Sequence, residues 1–247
     1  MKKSIILLFV SFIYLQFIYA QKKSYVSIES GVTFSGISNQ IANNMKSDGL
    51  ADDFTFDFFA LFGINNTGLI IKSNYPEKSQ QAGNYKIRYG YNIKNNASIE
   101  AGFGRTYRST VTGAAGSGDF ANYLAVTSKL STAYVAYLWK NKKDNAAIGI
   151  GPAVSICTIN QSSEFLTNVL SDKTYVLPGA IFTGYWNFVN KKSWFMGLRT
   201  DMTITPPAKT EEVKIINPDN KGFVSTSKST SVGSVINTVS ISAGIKF

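Results

Sequence analysis

The chain contains no histidine and a single cysteine, Cys157. Histidine is the commonest acid–base catalyst and metal ligand, and one cysteine cannot form an internal disulfide. We therefore expect no cofactor, no metal site and no catalytic activity. The adjacent carboxylates Asp52 and Asp53 precede an aromatic run, and we interpret them as solvated turn residues rather than a catalytic pair. Cys157 also lies too far from the N-terminus to carry a lipoprotein anchor.

Long apolar runs are missing beyond residue 20. The runs at residues 58–64 and 133–139 are each seven residues long, whereas a membrane-spanning helix needs about 18 or more apolar residues. The other structure that can cross a bilayer is a closed β-barrel, in which every backbone polar group is paired. Aromatic residues make up 13% of the chain and charged residues only 16%, a composition that suits such a barrel.

The N-terminus resembles a secretory signal peptide. Lys2 and Lys3 precede an apolar segment at residues 5–19, and Ala20 ends a cleavage-like site. We predict a signal peptide at residues 1–20 and one barrel domain at residues 21–247. An uncleaved membrane anchor is the alternative, although the apolar segment is short for a spanning helix.

The last thirteen residues, 235–247, alternate between apolar and polar side chains and end on phenylalanine. A period of two places the two sets on opposite faces of a strand. This pattern is typical of the final strand of an outer-membrane barrel. We predict that its lipid-facing residues form a C-terminal assembly signal; they are Ile241, Ala243, Ile245 and Phe247.

The alternation predicts an all-β fold, an antiparallel up-and-down transmembrane β-barrel of eight strands. The predicted strands are residues 24–34, 85–93, 97–107, 124–139, 147–157, 175–189, 194–204 and 235–247. Asn-rich turns at residues 94–96, 141–145 and 190–192 join three hairpins. The other connections, at residues 35–84, 108–123, 158–174 and 205–234, are long. Short periplasmic turns and long outer loops are expected of outer-membrane barrels.

A hairpin-like segment within the first long connection leaves ten strands as an alternative. Residues 54–64 and 69–73 flank an Asn-Asn-Thr-Gly turn. The second of these segments is short against the roughly 9–11 residues that a spanning strand needs, which favours eight strands. The hairpin would then fold over the outer mouth of the barrel.

The same alternation predicts which side chains face inward. On residues 124–139 the predicted outward set is Leu124, Val126, Leu130, Tyr134, Ala136 and Leu138. The charged side chains predicted to face the lumen are Glu29, Lys86, Arg88, Glu100, Lys129, Arg199 and Asp201. The interior of an eight-stranded barrel is just wide enough for side chains to fill, and buried charges must be paired. We therefore predict a salt-bridged plug; an ion or solute path is the alternative.

The hairpin at residues 89–104, Tyr-Gly-Tyr-Asn-Ile-Lys-Asn-Asn-Ala-Ser-Ile-Glu-Ala-Gly-Phe-Gly, resembles that of small outer-membrane β-barrel proteins of Bacteroidota. The plan is also similar to that of the OmpA transmembrane domain, OmpX and OmpW. The resemblance implies a fold and a location. Members of this family mostly lack an assigned activity, so it implies no catalytic residue.

Three functional hypotheses follow. The first is a structural or loop-mediated surface role, in which the last long connection and its lysines, Lys209, Lys214, Lys221 and Lys228, meet a partner through screened charge. The second is a narrow channel or a carrier for small or hydrophobic solutes, entered past the phenylalanines at positions 54, 56, 58, 59 and 62. The third is an accessory role in an outer-membrane secretion or assembly machine.

The charge of the chain favours anionic lipid as a partner. Its formal charge of +10 includes Lys2 and Lys3, so the predicted mature chain carries +8. On an exported barrel this surplus suits outer-membrane lipids and lipopolysaccharide rather than nucleic acid. We further expect barrel assembly machinery as a partner during biogenesis, an unidentified surface partner, a monomeric state and an outer-membrane location with both termini in the periplasm.

Overall fold

The computed structural model describes residues 24–48, 54–57, 70–73, 77–81, 83–94, 96–117, 120–163, 168–216 and 224–247. The predicted signal peptide lies outside these residues. So do Asp52, Asp53, Lys221 and three of the five phenylalanines, at positions 58, 59 and 62, so the hypotheses that involve them stay predictions.

The described chain forms thirteen strands and one helix. The strands are β1 (Ser24–Ser35), β2 (Phe54–Asp57), β3 (Ile70–Ser73), β4 (Glu77–Gln81), β5 (Gly83–Lys94), β6 (Ala97–Ser117), β7 (Phe120–Lys140), β8 (Ala146–Ser163), β9 (Asn168–Asn190), β10 (Trp194–Lys209), β11 (Val213–Ile216), β12 (Val224–Ser227) and β13 (Ser231–Lys246). The helix is α1 (Ile37–Ser47). No helix among the described residues is long and apolar enough to cross a membrane.

Eight strands close into an antiparallel ring in the order β1, β5, β6, β7, β8, β9, β10, β13. The ring closes where β13 pairs with β1, and there Ser24 and Phe247 exchange two backbone hydrogen bonds of 2.9 Å. The prediction of an eight-stranded up-and-down barrel is confirmed. The ten-strand alternative is wrong, because β2 and β3 form a separate two-stranded sheet.

One end of the ring, here called the turn end, carries the short connections and the chain end. Within the β7–β8 turn the Asn141 side chain accepts hydrogen bonds from the backbone N–H groups of Asn145 and Ala146, and Asp144 takes a left-handed φ of 52°. Asparagine and aspartate tolerate such turn geometry because their short side chains bond the local backbone. The opposite end is here called the loop end.

At the loop end, much of what was predicted as loop is strand. β6 runs to Ser117 and β7 begins at Phe120, so their hairpin occupies most of the predicted connection at residues 108–123. β8 and β9 likewise remain paired as far as Ser163 and Asn168. These segments are rich in Thr, Ser and Val, which suit paired strands. Those loop predictions were therefore wrong over most of their length, and the wall continues outward as paired strands.

The exterior of the barrel is apolar over a continuous band. On β10, outward residues from Trp194 to Ile204 are exposed or partly exposed and mostly apolar. Ten residues rise roughly 33 Å along a strand, or about 25 Å along the axis of a barrel tilted by about 40°. Near the turn end the band carries exposed aromatic rings, which are Tyr91, Trp139, Trp186, Phe188 and Trp194. This arrangement matches the lipid-facing surface of an outer-membrane barrel.

The face prediction for β7 was wrong. Its predicted outward set, Leu124, Val126, Leu130, Tyr134, Ala136 and Leu138, is buried in the lumen, whereas Val135, Tyr137 and Trp139 are exposed. Both faces of this strand are apolar, so alternation alone does not distinguish them. Pairing decides instead, because Trp139 lies opposite the outward Ile148 of β8 and directly opposed residues share a face.

Candidate functional site: a filled barrel lumen

The half of the lumen nearer the turn end contains a cluster of buried charges. Period-two alternation turns Glu29 of β1, Lys86 and Arg88 of β5, Glu100 of β6, and Arg199 and Asp201 of β10 inward; none of these residues is more than 4% exposed. The structure thus brings together six of the seven side chains that the sequence analysis placed in the lumen. Three are cations and three are anions, so the charges balance.

Arg88 lies at the centre of this charged cluster. Its guanidinium ion-pairs with Glu29, donates to Glu100 Oε1 at 3.1 Å and donates to Asp201 Oδ2 at 2.6 Å. These carboxylates come from three different strands on both sides of the lumen. The fork of an arginine can bond several oxygens at once, so one side chain crosslinks opposite walls.

Two further cations complete the network. Arg199 contacts Glu29 at 3.1 Å and both oxygens of Glu100 at 2.6 and 2.7 Å. Lys86 Nζ lies 2.5 Å from Asp201 Oδ2. Thr183 also donates to Asp201, at 2.6 Å. Each buried charge therefore has an opposite charge beside it, which offsets the large cost of removing ions from water.

Two tyrosines of this cluster were missed or misplaced by the sequence analysis. Tyr25 donates to Glu100 at 2.6 Å and Tyr134 donates to the same carboxylate at 2.8 Å. Both rings lie over inward-facing glycines of neighbouring strands, because a Cβ on Gly90 would overlap Tyr25 and one on Gly102 would overlap Tyr134. Glycine at inward strand positions is the sequence signal that could have found them, since it marks a close approach.

Lys129 does not belong to this network. The side chain is exposed on the outer surface of β7, opposite Arg108 of β6 in the strand register. The sequence analysis placed Lys129 in the lumen, and that placement was wrong for the same reason as the face prediction for β7. Both faces of this strand are apolar, so alternation did not show which face is outward.

The half of the lumen nearer the loop end is apolar. Buried side chains from β6, β7, β8, β10 and β13 meet there, including Tyr107, Leu124, Leu130 and Ile236. Helix α1 packs into the same cluster through the side chains Ile37, Ile41, Ala42 and Met45. Their spacing of four, one and three places them on one helical face. The sequence analysis missed this helix, although the spacing of Ile37, Ile41 and Met45 was a signal for it.

Helix α1 also covers a gap in the wall. β1 ends at Ser35, opposite Ile236, whereas β13 continues outward to Ser231. Beyond the end of β1, the backbone N–H of Gly233 donates to Gln40 Oε1 of the helix at 2.6 Å. The backbone N–H of Lys228 donates to Asp48 Oδ2 at 3.0 Å. Gln40 of the helix thus satisfies an edge group of β13 that has no β1 neighbour, and Asp48, directly after the helix, bonds the connection that precedes β13.

A small cavity lies beside the charged cluster. This cavity has a volume of about 20 Å³ and lies toward the turn end, lined by Tyr25, Tyr185, Phe195, Arg199 and Lys246 among others. Such a volume suits about one water molecule. Among the residues that the structure describes, no three metal-ligating side chains come together.

At the loop end, beyond the apolar band, an ion pair links the β9 extension to the connection between β10 and β11. Lys173 Nζ of β9 lies 2.8 Å from Glu211 Oε1, and Ser171 donates to Glu211 at 2.6 Å. The hydrogen bond from Lys173, the bond from Ser171 and the lysine charge lower the pKa of Glu211. The same hydrogen bond, followed by the carboxylate charge, raises the pKa of Lys173.

These features define a class: an eight-stranded β-barrel with an apolar exterior whose lumen is filled by its own side chains and one helix. The chain is similar to the Yersinia pestis attachment invasion locus protein Ail, solved with the heparin analogue sucrose octasulfate, at 10% identity and a TM-score of 0.42 over 91% of this chain and 98% of that chain. It is also similar to the outer-membrane protein OprG from Pseudomonas aeruginosa, at 9% identity and a TM-score of 0.43 over 91% of this chain and 96% of that chain.

A third similar structure is the outer-membrane protein AlkL, solved in lipid bilayers. It has 14% identity and a TM-score of 0.38 over 93% of this chain and 92% of that chain. No family model and no curated protein sequence matches the chain.

Proposed function

We propose that the protein is a non-catalytic outer-membrane β-barrel with a structural or loop-mediated surface role. The observation that carries this proposal is the filling of the lumen at two levels. The charged cluster blocks one half and the apolar cluster with α1 blocks the other. A barrel filled in this way acts through its outer surfaces rather than through its interior.

The location belongs to the same proposal. The apolar band, the aromatic rings near the turn end and the signal-peptide-like residues 1–20 suit a chain exported to an outer membrane. We place the turn end and both chain termini in the periplasm and the loop end outside, as a Bacteroidota-type barrel would be oriented. The mature protein is proposed to be a monomer that meets the barrel assembly machinery during biogenesis.

The surface role rests on the strand extensions at the loop end. The exposed cations Lys209, Lys214 and Lys228 lie on β10, β11 and the connection to β13. Because the β10 extension is paired with β13 as far as Lys209, this lysine is held on a rigid support, which lowers the entropy cost of binding. Lys214 lies on a separate hairpin formed by β11 and β12. An acidic partner at the cell surface suits them.

Planar bilayers test the filled lumen. Purified full-length protein should give no discrete conductance steps, while a general porin reconstituted in the same way should give them. Regular steps from the wild-type barrel would show that the lumen is open and would overturn the proposal.

A loop-shortened variant tests the surface role. Residues 211–229 can be replaced by Asn-Gly, because Thr210 N–H donates to Thr230 O at 2.8 Å and closes the base of this segment. In the full-length chain, a photoreactive residue at position 214 should give a defined cross-linked adduct on intact cells, and the adduct should be lost when Lys209 and Lys228 are replaced by Gln. Purified full-length barrel should compete for this adduct, whereas the purified loop-shortened variant should not. A photoreactive residue at position 192, on the turn end, is the control. Identical adducts from both positions would contradict the proposal.

A carrier for hydrophobic solutes is the second candidate, favoured by the apolar cluster around α1. The helix is joined to β13 and its preceding segment by hydrogen bonds from Gly233 and Lys228, so its displacement would expose an apolar chamber. Replacing residues 37–47 by a Gly-Ser linker should then increase uptake of a hydrophobic dye into cells. Unchanged uptake, with the variant present and folded, would remove this candidate. The accessory role in a secretion or assembly machine stays a prediction.

A further inference from the structure

A β-bulge on β6 turns two arginines to the same outer surface. The register between β6 and β7 shifts between Arg105 and Tyr107. Before the shift, the odd-numbered residues Phe103 and Arg105 face outward; after it, Tyr107 is fully buried in the lumen and Arg108 faces outward. A bulge inserts one extra residue and so reverses the phase of a strand. Without it, Arg108 would point into the apolar half of the lumen.

On this outer surface, two cationic side chains of neighbouring strands lie opposite each other. Arg108 and Lys129 are directly opposed in the β6–β7 register, and like charges in that position repel. Among the residues whose side chains the structure describes, no carboxylate forms an ion pair with either of these side chains. On the other side of β6 the register places the neutral residue Gln81 opposite Arg108. By contrast, Lys173, on the β9 extension, is paired with Glu211.

This cationic patch lies at the loop-end border of the apolar band. Phe103 is 55% exposed, and Arg105 is the next outward residue of β6. On β8 and β9 the outward apolar residues Ile156 and Val176 are followed, toward the loop end, by Thr158 and Thr174, whose hydroxyls bond each other at 3.2 Å. Phosphate groups of membrane lipids lie at this border, where side chains leave hydrocarbon for the polar headgroup layer.

We propose that Arg105, Arg108 and Lys129 form a binding site for the phosphates of a glycolipid in the outer leaflet. The acyl chains of that lipid pack on the apolar band below, beside Phe103. Its phosphates neutralise the opposed cations, with the arginine forks bonding two phosphate oxygens at once. The site rests on the proposed outer-membrane location, because only there does this border face phosphorylated glycolipid.

Native mass spectrometry of the full-length barrel in detergent micelles, titrated with bisphosphorylated lipid A, tests this site. The double variant Arg108→Gln, Lys129→Gln should bind lipid A about tenfold more weakly, since each basic residue near an anionic headgroup contributes to affinity. The double variant Lys191→Gln, Lys192→Gln removes the same charge from the turn end and should bind like the wild type.

Binding experiments with two further ligands identify what the site recognises. Lipid A without phosphates should bind wild type and the Arg108/Lys129 variant equally, and inorganic phosphate should not compete at millimolar concentration because it lacks the acyl chains. Equal weakening by both double variants, or equal binding of both lipids by the wild type, would overturn the proposal. Competition by inorganic phosphate would identify a free-anion site and would also overturn it.

Folding and location are checked separately. The Arg108/Lys129 variant should unfold at the same or higher urea concentration than wild type, since the substitution removes a repulsion; earlier unfolding would assign these residues a structural role and overturn the proposal. Density fractionation of membranes tests the location on its own. A barrel that binds lipid A through Arg108 and Lys129 but fractionates with another membrane would refute the proposed location, not the phosphate chemistry.

Discussion

At the scale of single residues, Arg88 is the side chain that contacts all three carboxylates of the charged cluster. It bonds carboxylates on β1, β6 and β10, so its loss leaves three anions with fewer partners in a site without bulk water. Breaking a buried ion pair by removing one partner costs about 3–5 kcal/mol, far more than an exposed pair contributes.

Arg88→Met should therefore lower the free energy of unfolding by about 3–5 kcal/mol. Urea unfolding of the barrel in lipid vesicles, followed by tryptophan fluorescence, measures this change. Arg108→Met is the matched control, because that arginine lies on the outer surface opposite another cation, and it should leave stability unchanged. Equal effects of the two substitutions would show that the buried network contributes no more than a surface charge.

The substitution Gly102→Ala tests whether the Tyr134 ring packs on this glycine. A methyl group at this position overlaps the Tyr134 ring and must push it from Glu100, so Gly102→Ala should destabilise the barrel by about 1–3 kcal/mol. Gly36→Ala is the control, because a Cβ built there has no heavy atom within 4 Å beyond its own chain neighbours. Heat-modifiability on gels compares the two, and a Gly102→Ala barrel as resistant as wild type would contradict the packing.

At the scale of elements, β13 is the strand on which closure depends. It pairs with β1 along one edge and with β10 along the other, so it leaves no open edge in lipid. Its outward face includes three of the residues of the predicted assembly signal, Ile241, Ala243 and Ile245, which are exposed. Their role as a signal remains a prediction.

Ile241→Asp should reduce the yield of folded barrel in the outer membrane. The side chain is 58% exposed within the apolar band, where an acidic residue costs on the order of 1–2 kcal/mol. Deleting Phe247 should do the same, because the seam bonds to Ser24 are lost. Membrane fractionation with heat-modifiability measures both. Ile241→Ala is the control. Normal yields of both Ile241→Asp and the Phe247 deletion would refute the assembly role.

The contact between the β9 extension and residue 211 should respond to pH in a defined direction. The lowered pKa of Glu211 means that its ion pair is present above the ordinary glutamate value and is lost as pH falls through the lowered one. The raised pKa of Lys173 means that the pair is lost at high pH only above the ordinary lysine value.

A carboxyl ¹³C NMR titration follows Glu211 directly. Its midpoint should lie below the ordinary value in wild type and should rise toward that value in Lys173→Gln, because the first cause of the shift is the hydrogen bond from Lys173. Lys214→Gln, which removes an exposed cation nearby in the chain, is the control. An unchanged midpoint in Lys173→Gln would contradict the contact.

At the scale of the whole molecule, the barrel is filled by two different chemistries. Paired charges occupy the half nearer the turn end, and an apolar cluster around α1 occupies the other half. The first kind of filling fixes strand register because each charge needs its partner, and the second excludes water. Together they leave the outer surfaces, including the cationic patch of Arg105, Arg108 and Lys129, as the sites where another molecule can bind.

The sequence predicted much of this arrangement where a strand has one apolar and one polar face. On β5 the residues Tyr85, Ile87 and Tyr89 are outward as expected, and Lys86 and Arg88 are inward. The alternation failed on β7, where both faces are apolar, and Lys129 was misplaced with it. The extent of the loop-end hairpins was also underestimated, because their Thr- and Ser-rich residues resemble loop sequence until a paired neighbour is present.

The sequence by itself determined that the chain forms an up-and-down barrel and favoured eight strands over ten, because period-two alternation distinguishes two faces wherever their polarity differs. The separate pairing of β2 with β3 then excluded ten strands. Only the tertiary structure decided the phase of β7, the place of α1 in the lumen and the outward position of Lys129. Each of these depends on a partner distant in the chain: Ile148 for Trp139, Gly233 for Gln40 and Arg108 for Lys129. The local sequence pattern shows whether a residue prefers lipid or the lumen. Where both faces of a strand are apolar, only pairing with the neighbouring strand decides which face is outward.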